Sequence, residues 1–247
     1  MKNLIIDIGN TNTKFGIFED NNLLEVKYNL ALNETVISEW ISRNKIEKAI
    51  ISDVSGKGKA WVELLSKFIE VIKFGTQIKA GLTSNYQTQS TLGEDRWAKM
   101  IAVSRLNLNG DSLVVDAGTC ITIDFLRNGK EYEGGSISPG IEMRFKALHQ
   151  FTGKLPLIEE IEVEIPDGKN TIDAIKAGVL GGVCYEIEGN INYYKTKYPD
   201  LKIFLTGGNS SLLWSRLKSS IFAPQIILEP LLVLKGLNEV IKLETCS

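Results

Sequence analysis

Two stretches of the sequence follow the same pattern, and this repetition limits the possible folds more than any other feature. Residues 4–18 read LIIDIGNTNTKFGIF, and residues 113–126 read LVVDAGTCITIDFL. In each, a β-branched or leucine-rich run enters an aspartate, passes a glycine and a polar residue, and leaves through a second strand-like run. Asp7 and Asp116 are too far apart for a short solenoid repeat. The repetition predicts two related lobes that each open with a β-hairpin, although two unrelated hairpins would give the same pattern.

Each hairpin is followed by the signals of a third strand and then of helices. In the first lobe the chain turns at residues 19–22 (EDNN), and in the second it turns at Asn128-Gly129, which is a strong hairpin signal. Residues 202–205 (KIFL) are typical of a short buried strand. Hairpins followed by α and β units indicate an α/β fold with mixed sheets flanked by helices. Helical periodicity occurs in residues 34–44, 59–69, 95–106, 170–198 (interrupted at Gly178, Gly181 and Gly182) and 231–242.

The composition is that of an ordinary globular protein and argues against two classes of partner. Hydrophobic residues make up 43% of the chain, charged residues 23%, and the net charge is −2. The chain as a whole therefore has no electrostatic attraction to nucleic acid or to an anionic membrane. No apolar run is long enough to span a bilayer, and Asp7 interrupts the apolar start in a way that a signal peptide would not. The three cysteines, Cys120, Cys184 and Cys246, are odd in number and widely spaced, which argues against a disulfide framework or a cysteine-based zinc site and favours a cytoplasmic location.

The first candidate site is the turn from Asp7 to Lys14. Gly9 lets the backbone turn sharply and approach a ligand closely. Residues 10–13 (NTNT) supply hydrogen-bond donors, and oriented backbone N–H groups in such a turn can hold phosphate oxygens. Asp7, at the end of a buried strand, is well placed to hold a hydrated Mg²⁺. An ordinary hairpin turn would also favour glycine and asparagine at these positions.

A second site uses the same devices at Asp116-Ala117-Gly118-Thr119. Two such turns facing each other would clamp one triphosphate, so a single ligand would explain both. Neither turn matches the Walker loop or the dinucleotide-binding motif. The run Thr206-Gly207-Gly208-Asn209 follows the predicted strand at 202–205 and leaves open backbone on which an adenine or ribose can lie. The same run is also typical of a strand-to-helix turn with an N-cap.

Gly93-Glu94-Asp95-Arg96 marks the start of a predicted helix. An aspartate beside an arginine can accept a hydroxyl proton while the arginine holds an anionic group. The alternative is an aspartate that only complements the helix dipole, next to a surface arginine, and composition alone favours that alternative. Residues 134–140 (GGSISPG) combine glycines that permit a close approach with a rigid turn before the helix from Ile141. They either wall a small-molecule pocket or form a plain strand-to-helix loop.

The motifs DIGNTNTKFG, LGEDR, DAGT, GGSISPG and TGG occur in this order over essentially the whole chain, and together they resemble the type III pantothenate kinases. The resemblance implies an actin-like ATPase architecture with two RNase H-like lobes, expected at residues 1–111 and 112–247. It implies phosphorylation of pantothenate by ATP, which begins coenzyme A synthesis. It further implies Mg²⁺ and a monovalent cation, K⁺ or NH₄⁺, as cofactors, and a homodimer with contacts near residues 142–171.

The same resemblance implies roles for individual residues. Asp95 is expected to be the catalytic base, and Asp116 is expected to be the monovalent-cation ligand. Pantothenate is expected to contact Tyr86, Gly93, Glu94, Asp95, Arg96 and Thr171. The turns described above and the resemblance together imply the residues that contact ATP and its Mg²⁺. These are Asp7, Gly9, Asn10, Thr11, Asn12, Thr13, Lys14, Gly118, Thr119, Gly207 and Gly208.

Two other functions remain open from the sequence. One is a regulatory protein of the same fold that binds ATP without catalysis, and the presence of Asp95 with Arg96 argues against it because a pure binder needs no base. The other is a sugar or acetate kinase of the same superfamily. Those enzymes are usually longer and do not carry LGEDR and GGSISPG in this arrangement.

Overall fold

A computed structural model describes residues 2–159 and 167–245 of the chain. The chain divides into two compact units. The first unit comprises residues 1–106, 130–132 and 231–247, and the second comprises residues 107–129 and 133–230. Residues 160–166, which belong to the predicted dimer contact at 142–171, lie outside the described residues, and so does Cys246. Cys120 and Cys184 are both free cysteines.

The first unit is built on one mixed sheet with the strand order β3-β2-β1-β4-β5. β1, β2 and β3 are antiparallel neighbours, whereas β4 runs parallel to β1 and β5 runs parallel to β4. The strands of this sheet are β1 (Lys2–Ile8), β2 (Thr13–Glu19), β3 (Asn22–Tyr28), β4 (Ile46–Asp53) and β5 (Glu70–Lys73). The unit also contains the short strand β6 (Thr83–Ser84), which pairs with β9 and not with this sheet, and the helices α1 (Glu34–Asn44), α2 (Gly58–Leu65) and α3 (Glu94–Leu106).

Strand β1 is central because its residues suit burial on both faces. Leu4, Ile5, Ile6 and Ile8 are each no more than 1% exposed, and β-branched side chains pack well on a sheet that is covered on both sides. The turn predicted at residues 19–22 is confirmed: β2 ends at Glu19 and β3 begins at Asn22. The end of β1 and the end of β4 therefore lie side by side, with Ile8 opposite Asp53.

The second unit repeats this arrangement with the strand order β11-β10-β7-β8-β9. β7 and β8 are antiparallel, β10 runs parallel to β7, and β11 runs parallel to β10. The strands are β7 (Ser112–Ala117), β8 (Cys120–Arg127), β9 (Glu131–Pro139), β10 (Lys202–Thr206) and β11 (Ile226–Leu228), and the helices are α4 (Ile141–Gln150), α5 (Thr171–Lys176), α6 (Gly182–Lys197) and α7 (Ser210–Leu217). The matching strand orders confirm the α/β class and support the interpretation of the repeated motif as two related lobes.

The predicted turn at Asn128-Gly129 is also confirmed. Asn128 has φ 53° and Gly129 has φ 63°, so both turn residues adopt the left-handed conformation that a two-residue hairpin of this type requires. The first two residues of β9, Glu131 and Tyr132, pair with the short strand β6 and are grouped with the first unit.

The glycines of the predicted helix at 170–198 do not break it. α5 passes directly into a π-helical turn, Ala177–Gly181, and this turn passes directly into α6. A π-turn widens the helix by one residue per turn without losing the backbone hydrogen bonds, so the helical run continues through Gly178, Gly181 and Gly182.

The GGSISPG stretch is not the loop that the sequence indicated. Its residues continue β9 as far as Pro139, and α4 begins at Ile141, immediately after the N-cap Gly140. A Cβ on Gly135 would lie 1.9 Å from the carbonyl oxygen of Ile123 in β8. The glycine therefore permits the close approach that the sequence indicated, and the neighbour is strand β8.

The final helix, α8 (Leu232–Thr245), belongs to the first unit because it packs on α3. The two helices are so close at Gly236 that a Cβ there would lie 1.9 Å from the carbonyl oxygen of Ala98. The two compact units are therefore discontinuous in sequence, whereas the predicted lobes were residues 1–111 and 112–247. The boundary between functional lobes at residue 111 stays a prediction. Within residues 2–159 and 167–245, no helix combines the length and the apolar character that crossing a membrane requires.

Candidate active site

The first phosphate loop connects β1 to β2 in the first unit. The N–H of Gly9 donates to the carbonyl oxygen of Asn12 over 3.0 Å, which closes the turn. A Cβ on Gly9 would lie 3.1 Å from that oxygen, so a larger residue would strain the turn. Asn10, Thr11 and Asn12 are exposed. The loop thus presents polar groups to solvent on a turn held by its own backbone.

Asn29, directly after β3, stabilises this loop through side-chain hydrogen bonds. The sequence did not identify it as a residue of the site. Its Oδ1 accepts a hydrogen bond from the N–H of Thr13 over 2.8 Å, and its Nδ2 donates to Oδ1 of Asn12 over 2.8 Å. Its backbone N–H also donates to the carbonyl oxygen of Thr13 over 2.9 Å. Asn29 has φ 50°, a conformation that asparagine tolerates better than most residues. An asparagine directly after a strand was the only signal available.

Asp7 and Lys14 face each other across the β1–β2 ladder at the base of the loop. The carboxylate of Asp7 is nearly buried, and its Oδ2 lies 4.0 Å from the ammonium nitrogen of Lys14. A carboxylate oxygen is the kind of ligand that Mg²⁺ takes, usually with only one or two carboxylates beside phosphate and water. Asp7 therefore fits this role, and in residues 2–159 and 167–245 no group of three or more His, Cys, Asp or Glu side chains could hold a metal ion.

The Gly93–Arg96 motif begins α3 at the same edge of the sheet as the first phosphate loop. Oε2 of Glu94 accepts hydrogen bonds from the N–H of Asp53, over 2.9 Å, and from the hydroxyl of Ser52, over 3.2 Å. Both donors lie at the end of β4, and Asp53 is paired with Ile8, the residue before Gly9. Burial raises the pKa of the Glu94 carboxyl above its usual range, while these two hydrogen bonds act in the opposite direction.

Asp95 is the second residue of α3, and its carboxylate is partly open to solvent. Its side chain is 32% exposed, and its Oδ2 lies 3.4 Å from the ammonium nitrogen of Lys99, one helical turn further on. Its Oδ1 lies over Gly93, because a Cβ built on that glycine would be 2.7 Å from it. A carboxylate with this exposure and a defined orientation is suited to accept a proton from a bound hydroxyl.

Arg96 is 4% exposed, so the alternative of a surface arginine is wrong. Its guanidinium carbon lies 5.5 Å from the ring centroid of Tyr86, within the range of a cation–π contact. The Tyr86 ring stacks on Tyr132 at a centroid distance of 5.9 Å, and Tyr132 packs edge-on against Trp97. The structure thus places Tyr86 beside Arg96 at the start of α3, and its contact with pantothenate stays a prediction.

The second phosphate loop lies between β7 and β8 in the second unit. The N–H of Gly118 donates to the carbonyl oxygen of Cys120 over 3.0 Å, and Thr119 is exposed at the tip. The N–H of Gly140, at the start of α4, donates to the carbonyl oxygen of Thr119 over 3.1 Å. A Cβ on Gly140 would lie 2.4 Å from two carbonyl oxygens of this loop, so α4 begins in direct backbone contact with it.

The Gly207-Gly208 turn follows β10 and adjoins the same loop. Gly207 has φ 94°, and a Cβ there would lie 2.3 Å from Oδ1 of Asp116. The N–H of Asn209 donates to the carbonyl oxygen of Ala117 over 2.8 Å. Asp116, Gly118, Thr119, Gly207 and Gly208 are therefore neighbours within the second unit.

Glu142, in the first turn of α4, also belongs to this group, and the sequence did not indicate it for the site. The side-chain amide of Asn209 lies 3.3 Å from each of the two carboxylate oxygens of Glu142. This contact links α4 to the turn after β10.

Thr171 lies apart from these loops on the second unit. It is exposed at the first position of α5, whose N-cap Asn170 accepts a hydrogen bond from the N–H of Asp173. Thr171 lines an open groove of about 810 Å³ between α4 and α5. The other lining residues are Arg144, Ala147, Leu148, Phe151, Thr152, Leu155, Ala174, Ile175, Gly178 and Val179.

Comparison with known proteins assigns the chain to a family. A family model described as type III pantothenate kinase matches residues 3–193. The chain belongs to the type III pantothenate kinase family. A Type III pantothenate kinase from Bacteroides fragilis (strain YCH46) is 42% identical over 241 residues, which cover 97% of this chain and 97% of the relative. Within this family, the motifs in both units are the segments expected to carry the activity.

Solved structures support the same fold. A structure from Campylobacter jejuni, named as a Baf family transcriptional activator, is 26% identical, has a TM-score of 0.64, and covers 99% of this chain and 100% of that chain. A structure from Sinorhizobium meliloti, named as a 2-dehydro-3-deoxygalactonokinase, is 14% identical with a TM-score of 0.59 and covers 98% of each chain. The second likeness shows the fold alone, which is the actin-like ATPase and sugar kinase fold predicted from the motifs.

Proposed function

We propose that this chain transfers the γ-phosphoryl group of ATP to pantothenate and so forms 4′-phosphopantothenate, the first step of coenzyme A biosynthesis. The observation that carries the proposal is that Asp95 and Arg96 begin α3 at the sheet edge from which the first phosphate loop emerges. A phosphate-binding turn beside a carboxylate that can take a hydroxyl proton is what phosphoryl transfer to an alcohol needs. Membership of the type III pantothenate kinase family supports pantothenate as the alcohol.

The nucleotide is held mainly by backbone groups in this proposal. In the first unit the triphosphate contacts the loop from Gly9 to Thr13 together with Lys14, and Asp7 supplies a carboxylate ligand for Mg²⁺. The second unit carries the other residues expected to bind the nucleotide: Gly118 and Thr119 for phosphate, and Gly207 and Gly208, whose open backbone suits the adenosine. Mg²⁺, when bound, would offset the negative charge of the phosphates. Because phosphoryl transfer depends on positioning and charge neutralisation, these contacts account for most of the expected catalysis.

Pantothenate is proposed to lie at the start of α3. The hydroxyl oxygen attacks the γ-phosphorus, its proton passes to Asp95, and the bond to the β-phosphate oxygen breaks to release ADP. Arg96 holds the pantothenate carboxylate and Tyr86 contacts the substrate beside it. Gly93 and Glu94 are proposed to contact pantothenate through their backbone, because the Glu94 carboxylate is hydrogen-bonded to β4. Thr171 is proposed as a further pantothenate contact on the strength of the family resemblance.

The proposed function is tested by a coupled assay that follows ADP release with pantothenate and other acceptors. With ATP, Mg²⁺ and pantothenate we expect turnover and a product with the mass of 4′-phosphopantothenate. Phosphorylation of acetate or a hexose, with none of pantothenate, would contradict the assignment. ATP binding without turnover on any acceptor would favour the regulatory alternative. The Campylobacter jejuni structure is named as a protein of that kind, a transcriptional activator.

The same assay tests the monovalent cation. We propose that Asp116 binds K⁺ or NH₄⁺, because its carboxylate is partly exposed at the end of β7, beside the second phosphate loop. Activity is expected to be high in K⁺ or NH₄⁺ buffer and low when Na⁺ or Tris is the only cation. Asp116→Ala should remove that difference. Full activity in Na⁺ buffer would show that no such site is needed.

We also propose that the chain forms a cytoplasmic homodimer through the surface that contains α4 and α5. The groove between these helices is lined largely by apolar side chains, and Phe151 on its border is 80% exposed. Exposed apolar surface of this kind often marks an interface between proteins. Sedimentation at micromolar concentration should give the mass of two chains, and Phe151→Glu should shift it toward one. A stable monomer for the unmodified chain would exclude the proposal.

A further inference from the structure

Lys99 is the most unusual charged residue in the first unit. Its side chain is 0% exposed, whereas lysine is almost never fully buried unless it is paired. It lies on α3 between Ala98 and Met100, both fully buried, and on a helix that α8 covers closely at Gly236. A methionine or leucine would fit such an environment at lower cost, because burying an ammonium group is unfavourable without compensation. The position of this charge therefore needs a reason other than packing.

The ammonium group of Lys99 contacts the carboxylate of Asp95, and this contact links the buried charge to the proposed base. The ammonium nitrogen lies 3.4 Å from Oδ2 of Asp95, which is one turn earlier on the same helix. The other carboxylate oxygen, Oδ1, lies over Gly93, where a Cβ would be 2.7 Å away. The two oxygens are thus distinguished: Oδ2 is turned toward a buried cation, and Oδ1 is turned toward a residue with no side chain.

We propose that Lys99 is a positioning residue that holds the Asp95 carboxylate in one orientation and leaves Oδ1 to receive the proton of the acceptor hydroxyl. This inference rests on the proposed function, in which Asp95 is the base. A buried ammonium is well suited to the task because the low polarity around it strengthens its attraction to the carboxylate. It is also less mobile than a lysine on the surface.

The competing explanation is an ordinary ion pair between residues four apart on a helix, which supports the helix and has no part in the reaction. The two explanations predict different results. A helix-supporting pair affects the melting temperature and leaves turnover per folded molecule unchanged. A positioning residue affects kcat, because a misplaced base reacts slowly even when both substrates are bound.

Lys99→Met tests this difference, since methionine has a similar length and suits a buried site but has no charge. We expect kcat to fall by about 10²-fold, as misplacement of a reacting group by about 1 Å can cause, with little change in KM for either substrate. Lys99→Arg keeps the charge and should recover part of kcat, whereas Lys99→Gln keeps a hydrogen-bond donor without the charge and should recover less. Wild-type kcat in Lys99→Met or in Lys99→Gln, whichever folds, would overturn the inference.

A double-mutant cycle with Asp95→Asn separates this inference from the proposed function. If Lys99 acts through Asp95, then Lys99→Met should cause no further loss of kcat once Asp95 is asparagine. A full additional loss would mean that Lys99 acts on something else and would contradict the inference. If Asp95→Asn alone has wild-type kcat, the proposed base is wrong. If Asp95→Asn is slow but Lys99→Met is not, only the role of Lys99 is wrong.

Discussion

Asp95→Asn is expected to lower kcat by about 10²- to 10⁴-fold, which is the usual contribution of a general base. Asparagine keeps the size and shape of the side chain but cannot take the proton of the acceptor hydroxyl. The first phosphate loop does not depend on Asp95 for any of its described hydrogen bonds, so ATP binding should remain close to that of the unmodified chain. Steady-state kinetics with ATP and pantothenate, together with an ATP-binding measurement, would check this expectation.

A thermal melt of the same variant distinguishes catalysis from helix support. If Asp95 only complements the dipole of α3, its loss should cost about 1 kcal/mol or less and leave turnover nearly normal. Normal kcat with a slightly lower melting temperature would therefore identify Asp95 as a helix-start residue. Glu34 is a suitable control, because it also begins a helix, α1, is exposed, and pairs with a lysine, Lys67. Glu34→Gln should leave kcat unchanged.

Gly207→Ala is expected to weaken both the fold of the second unit and ATP binding. With φ 94° the residue lies in a backbone region that L-residues rarely adopt, and the added Cβ would lie 2.3 Å from Oδ1 of Asp116 and 2.5 Å from the carbonyl oxygen of Ala117. Strain of this kind costs about 1–3 kcal/mol, and relief of it would displace the second phosphate loop. The melting temperature should fall, and KM for ATP should rise.

Gly208→Ala is the matched comparison, because a Cβ at that position meets nothing within 4 Å and φ is not in the left-handed region. Its melting temperature should stay close to that of the unmodified chain. Any change in KM for ATP would then come from contact between the added methyl group and the bound nucleotide. A Gly207→Ala variant that melts and binds ATP normally would show that this turn has more freedom than the structure indicates.

The sequence predicted most of the strands because they follow simple patterns. Runs such as residues 4–6 and 113–115 are apolar and lead into a turn motif. Asn128-Gly129 has few alternatives to a hairpin turn. Glycine was a weaker guide. The sequence indicated a close approach at Gly135 but not its neighbour, which is β8 packed against β9 and not a ligand. A single sequence cannot show whether a glycine is needed for its conformation or for the space that it leaves.

The motifs of the site were recognisable, but the residues that support them were not. Asn29 follows the first phosphate loop by two strands and acts through contacts that exist only when β3 pairs with β2. Lys99 was not singled out from the sequence, and its burial follows from α3 being buried on nearly all sides. Periodicity indicates which face of a helix is apolar and gives no information on how many partners will cover it.

The packing of α8 on α3 has a consequence for the order in which the protein can be made. A chain leaves the ribosome from its N-terminus, so β1 to β5 and α3 are available long before residue 231 has been synthesised. Until then the surface of α3 that α8 covers, including Ala98, has no partner from within its own unit. The second unit, by contrast, is complete once β11 has emerged. The unit that is translated first therefore cannot complete its core until residues 232–245 join it.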